Sequence, residues 1–227
     1  SKQEEGPFEM VKNDETYAKN HFYANELVYV EKVGVARNVN MANLYFSPIS
    51  YNPVTNEFKV VKEVELEITF KNADVQKTLE MKRKHSSQAF SVKADVMNSF
   101  TTKDSYTNAP IRYLIVSHSM FRGHLDSFVE WKKRKGFLVD VVYTDDANVG
   151  TTTTSIQAFL KQQYTNATAE MPAPTYVLLV GDVEQIPPFE SQITSASLND
   201  HITDLYYFTW TDGDIIPDCY YGRFSAQ

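Results

Sequence analysis

The chain of 227 residues contains a single cysteine, Cys219, so no internal disulfide framework can staple it. That count alone leaves the cellular compartment open. Glycine is also sparse, with eight in all, and neither G-x-G-x-x-G nor G-x-x-x-x-G-K-[ST] occurs. Without such a loop there is no cradle of backbone N–H groups for a phosphate, which argues against a nucleotide enzyme. An H-E-x-x-H zinc helix is missing too. No stretch approaches the roughly 18 consecutive apolar residues of a membrane-spanning helix. Positive charge is in deficit: the net charge of −7 speaks against a nucleic-acid surface in the absence of a locally basic face. Ser1-Lys2-Gln3-Glu4-Glu5 is acidic and polar, unlike a signal peptide, so the expectation is a cytosolic protein or a trimmed start. Gly222–Gln227 follows directly on a strand-like run, and the chain reads as a fragment.

Aromatic residues are plentiful, with fourteen Tyr and fourteen Phe, which favours strand-rich structure. The first part reads as all-β. Leu27–Val30 and Leu44–Phe46 are short strands, and Asn52–Glu57 is a turn built from Asn and Pro. Val64, Leu66, Ile68 and Phe70 alternate with Glu63, Glu65, Glu67 and Thr69, the period of a strand with one wet face. A hairpin of Leu44–Tyr51 with Phe58–Phe70 is expected, within a small antiparallel β-sandwich. The pattern weakens between Lys71 and Pro110, and a domain boundary is placed near Lys103. Lys82–Ser87 reads as a solvated basic loop, a natural cleavage point.

From Ile111 the rhythm becomes strand and helix in alternation. Tyr113–Val116, Leu138–Tyr143 and Tyr176–Val180 are apolar runs expected of strands buried on both faces. Between them fall a helix from Met120 to Lys135, ended by Gly136, and a second helix. The second carries Ile156, Phe159, Leu160 and Tyr164 and is capped from the threonine run at 151–154. This order predicts a parallel sheet with ligands at the carboxyl ends of its strands, where Asp182 stands.

Asp212-Gly213-Asp214-Ile215-Ile216-Pro217-Asp218 crowds three carboxylates around a tight turn. Like charges so close raise one another's pKa unless something positive neutralises them. A hard divalent ion held by oxygen does this, and the spacing suits calcium. Asp182, Asp212 and Asp214 would ligate through side chains, Ile216 through its carbonyl, and Asp218 would close the cage. The flanking helices and twelfth-position Glu of an EF-hand are missing. The competing readings are a loop cap for Asp182 and an Asp-Gly turn between strands for the cluster. Cys219 adjoins this acidic run, which raises a thiol's pKa, so a buried, inert cysteine is expected rather than a nucleophile paired with His118 or His201.

Trp131–Val141, Tyr143-Thr144-Asp145-Asp146, Val149–Thr152, Ser155–Leu160, Leu178–Asp182, Thr203–Tyr207, Asp212-Gly213-Asp214 and Gly222–Ser225 together resemble the start of the peptidase domain of the gingipain family. Ser47–Thr55 and Val64–Phe70 resemble the end of that family's propeptide. The resemblance implies a β-rich propeptide part over 1–103 and a caspase-like α/β subdomain over 104–227. It implies a secreted or bacterial cell-surface cysteine endopeptidase cleaving protein or peptide substrates after Lys or Arg. It also implies calcium on Asp182, Asp212, Asp214, the carbonyl of Ile216 and Asp218, the last one methylene shorter than the family's Glu. Contact between propeptide and peptidase follows, with Lys82, Arg83, Lys84, Lys93 and Lys103 as candidates to present a basic side chain to the cleft. The family's Thr-Gly-His-Gly-Ser-type and Asn-x-x-Cys-type segments do not occur in this sequence, so the chain alone is expected to be inactive. The alternative is a non-enzymatic calcium-stabilised surface or adhesion module.

Overall fold

The computed structural model describes residues 13–69, 71–90, 110–168, 170–190, 202–211 and 213–226. Asp212, His201, Lys93, Lys103 and Phe70 lie outside the described residues. In chain order the elements are α1 (Asp14–Tyr17), β1 (Val28–Ala36), β2 (Val39–Phe46), β3 (Ile49–Asn52), β4 (Glu57–Val60), α2 (Val75–His85), β5 (Ile111–Ser117), α3 (Asp126–Arg134), β6 (Phe137–Tyr143), α4 (Thr153–Thr165), β7 (Tyr176–Val180), β8 (Phe189–Glu190), β9 (Ile202–Thr203) and β10 (Tyr220–Phe224). The chain is mixed α/β, with antiparallel strand pairs first and a parallel sheet later. Among the described residues no helix is long and apolar enough to cross a membrane. Two compact units emerge, residues 1–32 with 42–71, and residues 33–41 with 72–227.

In the first unit the β3–β4 hairpin pairs Ile49 with Val60 and Asn52 with Glu57. Its turn forms because the Asn52 Oδ1 accepts from the Val54 and Thr55 amides, an Asx turn. The hairpin is shorter than the alternation predicts. β2 pairs back on β1, and the break falls at Pro48, which has no N–H to give to a ladder. Residues 61–69 carry no strand. Leu66 is 42% and Ile68 66% exposed, so the apolar face predicted there has no described surface to lie on. A period of two says which side a strand would bury, and it does not supply the partner.

In the second unit β10, β7, β5 and β6 form a parallel sheet in that order. Successive residues of β5 serve opposite faces. Leu114 and Val116 join Ile156, Phe159 and Leu160 of α4, while Tyr113 and Ile115 join Leu125, Phe128 and Val129 around α3. Each fully buried Leu or Ile contributes about 1.5–3 kcal/mol, and this is why the runs are apolar throughout. Helix α4 starts with a reciprocal Thr152–Ser155 capping box. The stretch predicted as one helix from Met120 is a single 3₁₀ turn at Ser119–Phe121 followed by α3. Gly136, at φ +88°, turns the chain from α3 into β6. The basic run at Lys82–His85 is not a loop: it ends α2, which Asp74 caps through the Lys77 amide.

Candidate functional site at the acidic loop

Residues 33–41, the tip of the β1–β2 hairpin, fold in the same compact unit as the parallel sheet and reach the loop before β10. The Val35 amide donates to Asp214 Oδ2 at 2.8 Å, and the Arg37 amide donates to Asp218 Oδ1. Asp214 Oδ1 accepts from the Ile216 amide at 3.0 Å. Asp218 Oδ2 accepts from the amides of Trp210 at 2.8 Å and Thr211 at 3.1 Å. Gly34 allows this approach: a Cβ there would lie 2.7 Å from Ile216 Cδ1 and 2.9 Å from Asp214 Cβ.

Asp218 is fully buried. Burial pushes its pKa up, the three amides pull it back down, and the Asp214 charge adds to the rise. The crowding foreseen in the sequence is therefore present, and backbone N–H groups answer it. Among the described residues no three His, Cys, Asp or Glu side chains converge as a ready-made metal cage. The donor chemistry of the loop nevertheless suits a hard cation. Both Asp214 oxygens and Asp218 Oδ1 accept one amide each and keep a lone pair, and the Ile216 carbonyl is on the same loop.

Asp182 is not brought to this loop. Its amide donates to the Ala226 carbonyl beyond the far end of β10, whereas Asp218 precedes the start of that strand. The length of β10, roughly 13 Å at ~3.3 Å per residue, lies between them. Asp182 Oδ1 instead accepts from the Val183 amide within its own turn, the loop-capping role that competed with ligation. Arg223 ties that turn to β10, donating to the Gly181 and Ile186 carbonyls at 2.9 Å and forking onto Asp204 at 2.8 and 2.6 Å. His118 caps the 3₁₀ turn through the Met120 amide. Cys219 is buried and free, and burial pushes its thiol well up, as an inert cysteine requires.

Arg37 was not anticipated. It is 2% exposed and sits at φ +60° in the hairpin turn, a conformation that side chains other than Gly adopt at some cost. Its guanidinium donates to four backbone carbonyls: Nη1 to Pro174 at 2.7 Å and Asp218 at 3.1 Å, Nη2 to Ala173 at 2.9 Å, and Nε to His85. The Tyr164 hydroxyl of α4 donates to the Arg37 carbonyl. His85 closes the pocket, stacked on Tyr164 at 4.2 Å with Nε2 3.1 Å from the Tyr164 carbonyl. The Phe90 ring lies 5.6 Å from the guanidinium. In sequence, Arg37-Asn38 is simply a polar pair between two apolar stretches. The one unusual mark is an arginine where a tight hairpin turn favours Gly, Asn or Asp.

A model of peptidase family C25 matches residues 106–227, and a model of the C25 propeptide matches residues 1–103. Lys-gingipain of Porphyromonas gingivalis is 36% identical over 230 residues, which is 99% of this chain and 13% of that protein. Gingipain R1 of the same organism is 26% identical over 216 residues, 93% of this chain and 21% of that protein. Among solved structures, one described as the structure of a protease shares 41% identity at a TM-score of 0.46, over 52% of this chain and 25% of its own. The crystal structure of the Arg-specific cysteine proteinase gingipain R shares 28% identity at a TM-score of 0.45, again over 52% and 25%. The chain thus spans about one eighth of the Lys-gingipain length.

Proposed function

Because the chain belongs to peptidase family C25 and carries that family's propeptide match ahead of the peptidase segment, we propose that it joins the carboxyl-terminal part of the propeptide to the first part of the peptidase domain of a latent cysteine endopeptidase. The parent enzyme is secreted or held at a bacterial cell surface and cleaves protein or peptide substrates after Lys or Arg. Residues 1–103 are the carboxyl-terminal part of its prosegment and 104–227 the first, caspase-like subdomain of its peptidase domain. One observation carries the reading. Residues 33–41 and 72–90 match the propeptide, yet they fold in one compact unit with the sheet of the peptidase segment. A prosegment that folds in one compact unit with the peptidase sheet is a built-in ligand, as latency requires.

The chemistry needs a thiolate to attack the scissile carbonyl and a histidine to protonate the leaving amine. The sequence holds neither family motif for these groups, and Cys219 is buried. The described chain supplies the sheet that positions the cleft wall and the loop that would hold calcium. In that site Asp212, Asp214, the Ile216 carbonyl and Asp218 would be the ligands, whereas Asp182 stands beyond the other end of β10. Bound calcium would neutralise the loop and stiffen the approach to β10.

Incubating the chain with fluorogenic peptides ending in Lys or Arg should give no turnover. The precursor extended through the His and Cys segments should gain activity once its prosegment is cut and removed. Turnover by the chain alone that Cys219→Ala abolishes would overturn the assignment, as would an extended precursor that stays inert after removal of residues 1–103.

A further inference from the structure

The Arg37 pocket has an unusual composition. A buried cation normally faces a carboxylate fork, but here every side-chain acceptor is a backbone carbonyl. Three of the four, from Ala173, Pro174 and Asp218, belong to the segment matched by the peptidase family. The fourth, from His85, belongs to the propeptide match, as does Phe90 over the guanidinium. Carbonyls spread around a plane suit the flat five-donor guanidinium; a lysine ammonium has three donors and cannot span them. The turn that carries the side chain is held on both sides, by the Asp218 carboxylate at its amide and the Tyr164 hydroxyl at its carbonyl. A strained φ, complete burial and six converging hydrogen bonds at one residue describe a plug in a socket.

We propose that the carbonyls of Ala173, Pro174 and Asp218 form a guanidinium-recognition site on the peptidase segment, occupied by Arg37 of the chain's own prosegment. The inference rests on the prosegment reading above and deepens it. Arg37 and the socket lie on opposite sides, in sequence, of any cut made between residues 90 and 110. Cutting there separates plug from socket covalently and removes none of their hydrogen bonds. The prosegment therefore stays attached after cleavage, and its release is set by withdrawal of Arg37 and not by the cut. The basic residues of α2 do not serve this role: Lys82 and Arg83 are exposed, and Lys84 pairs with Glu80 at 3.0 Å along the helix.

The test uses the full chain with a specific protease site inserted between Lys103 and Asp104. After cutting, the dissociation constant of the two fragments is measured by labelling one and diluting the pair. Wild-type fragments should stay together, Arg37→Ala should weaken them by about 100-fold or more, and Arg37→Lys by about 10-fold or more despite its retained charge. Binding of Arg37→Ala within threefold of wild type would overturn the proposal. Should Arg37→Ala fail to fold, Arg37→Lys decides: affinity equal to wild type refutes guanidinium recognition. Tyr164→Phe, which removes only the hydroxyl on the Arg37 carbonyl, is expected to weaken binding several-fold with the socket intact. None of these readouts depends on turnover, so loss of this proposal and loss of the peptidase assignment are seen separately.

Discussion

Replacing Asp218 by Asn changes one atom in a fully buried carboxylate that accepts three amides and joins the hairpin tip to the loop. An asparagine keeps one acceptor oxygen and turns the other into a donor. Either the Arg37 amide or the pair from Trp210 and Thr211 must then face an N–H. One or two hydrogen bonds to a charged acceptor are lost, at about 1.5–3 kcal/mol each. Removing a buried negative charge returns part of this, because the carboxylate no longer has to be desolvated. The net loss is about 2–4 kcal/mol. At ~2–4 °C per kcal/mol for a chain of this size, melting falls by roughly 5–15 °C. The measurement is a thermal melt of Asp218→Asn in excess chelator, so that no cation contributes. Asp145→Asn is the control: that carboxylate is half-exposed, pairs with Arg122 on the surface, and should move melting by no more than about 2 °C. If Asp218→Asn melts within about 2 °C of wild type in chelator, the amides do not depend on the carboxylate and the reasoning fails.

Gly34→Ala drives a methyl into Ile216 and Asp214, and overpacking of this kind costs about 1–3 kcal/mol. Hydrogen exchange at the Val35 and Arg37 amides should quicken by roughly 10- to 100-fold; unchanged protection would show that the tip does not rest on the loop. Calcium at a hundredfold excess over its dissociation constant should add about 2.7 kcal/mol to stability. Asp214→Ala should abolish that response and Asp182→Ala should leave it, whereas loss of the response in Asp182→Ala would place that carboxylate at the ion. Burial lowers the pKa of His85, and the neighbouring charges of Arg37 and Lys84 push it the same way. The folded chain therefore keeps a neutral imidazole where the unfolded chain takes a proton. Stability should fall as pH drops below about 6.5 and go on falling until the folded pKa is passed. Asp218, with its raised pKa, opposes this trend only when the pH nears the carboxylate range. Urea midpoints from about pH 7.5 to 5 should slope for wild type and flatten for His85→Gln; equal slopes would clear His85 of the effect.

The parallel sheet was legible because its cause is local. Tyr113–Val116 and Tyr176–Val180 are apolar at every position since helices cover both faces, and α4 advertises itself through Thr152 and the stripe from Ile156 to Tyr164. Helix α2 was missed because its residues are nearly all exposed, so no stripe marks it, and its basic end resembles a loop. The alternation from Val64 to Phe70 misled for the opposite reason, being a clear pattern without a described surface to cover. Crowding of Asp214 and Asp218 could be read from spacing alone. The groups that answer it could not, because Val35 and Arg37 lie about 180 positions earlier in the chain.

That distance explains why cation and hairpin tip should be considered together. The carbonyls of Ala173, Pro174 and Asp218 and the carboxylates of Asp214 and Asp218 build one region of negative potential, and two positive partners address it. The tip brings two amides and a guanidinium, while a calcium ion would bring its charge to the same carboxylate oxygens. Whatever change one makes in the affinity for the other is matched by an equal factor in the other direction. The sign depends on Asp218 Oδ1. Its remaining lone pair can serve the ion with the Arg37 amide in place, so that the two partners share the carboxylate and order the loop jointly. If ligation instead draws the Asp218 carboxylate toward Asp214, the amide is lost and Arg37 is loosened in its socket. A bound ion then acts as the lever that ejects the prosegment.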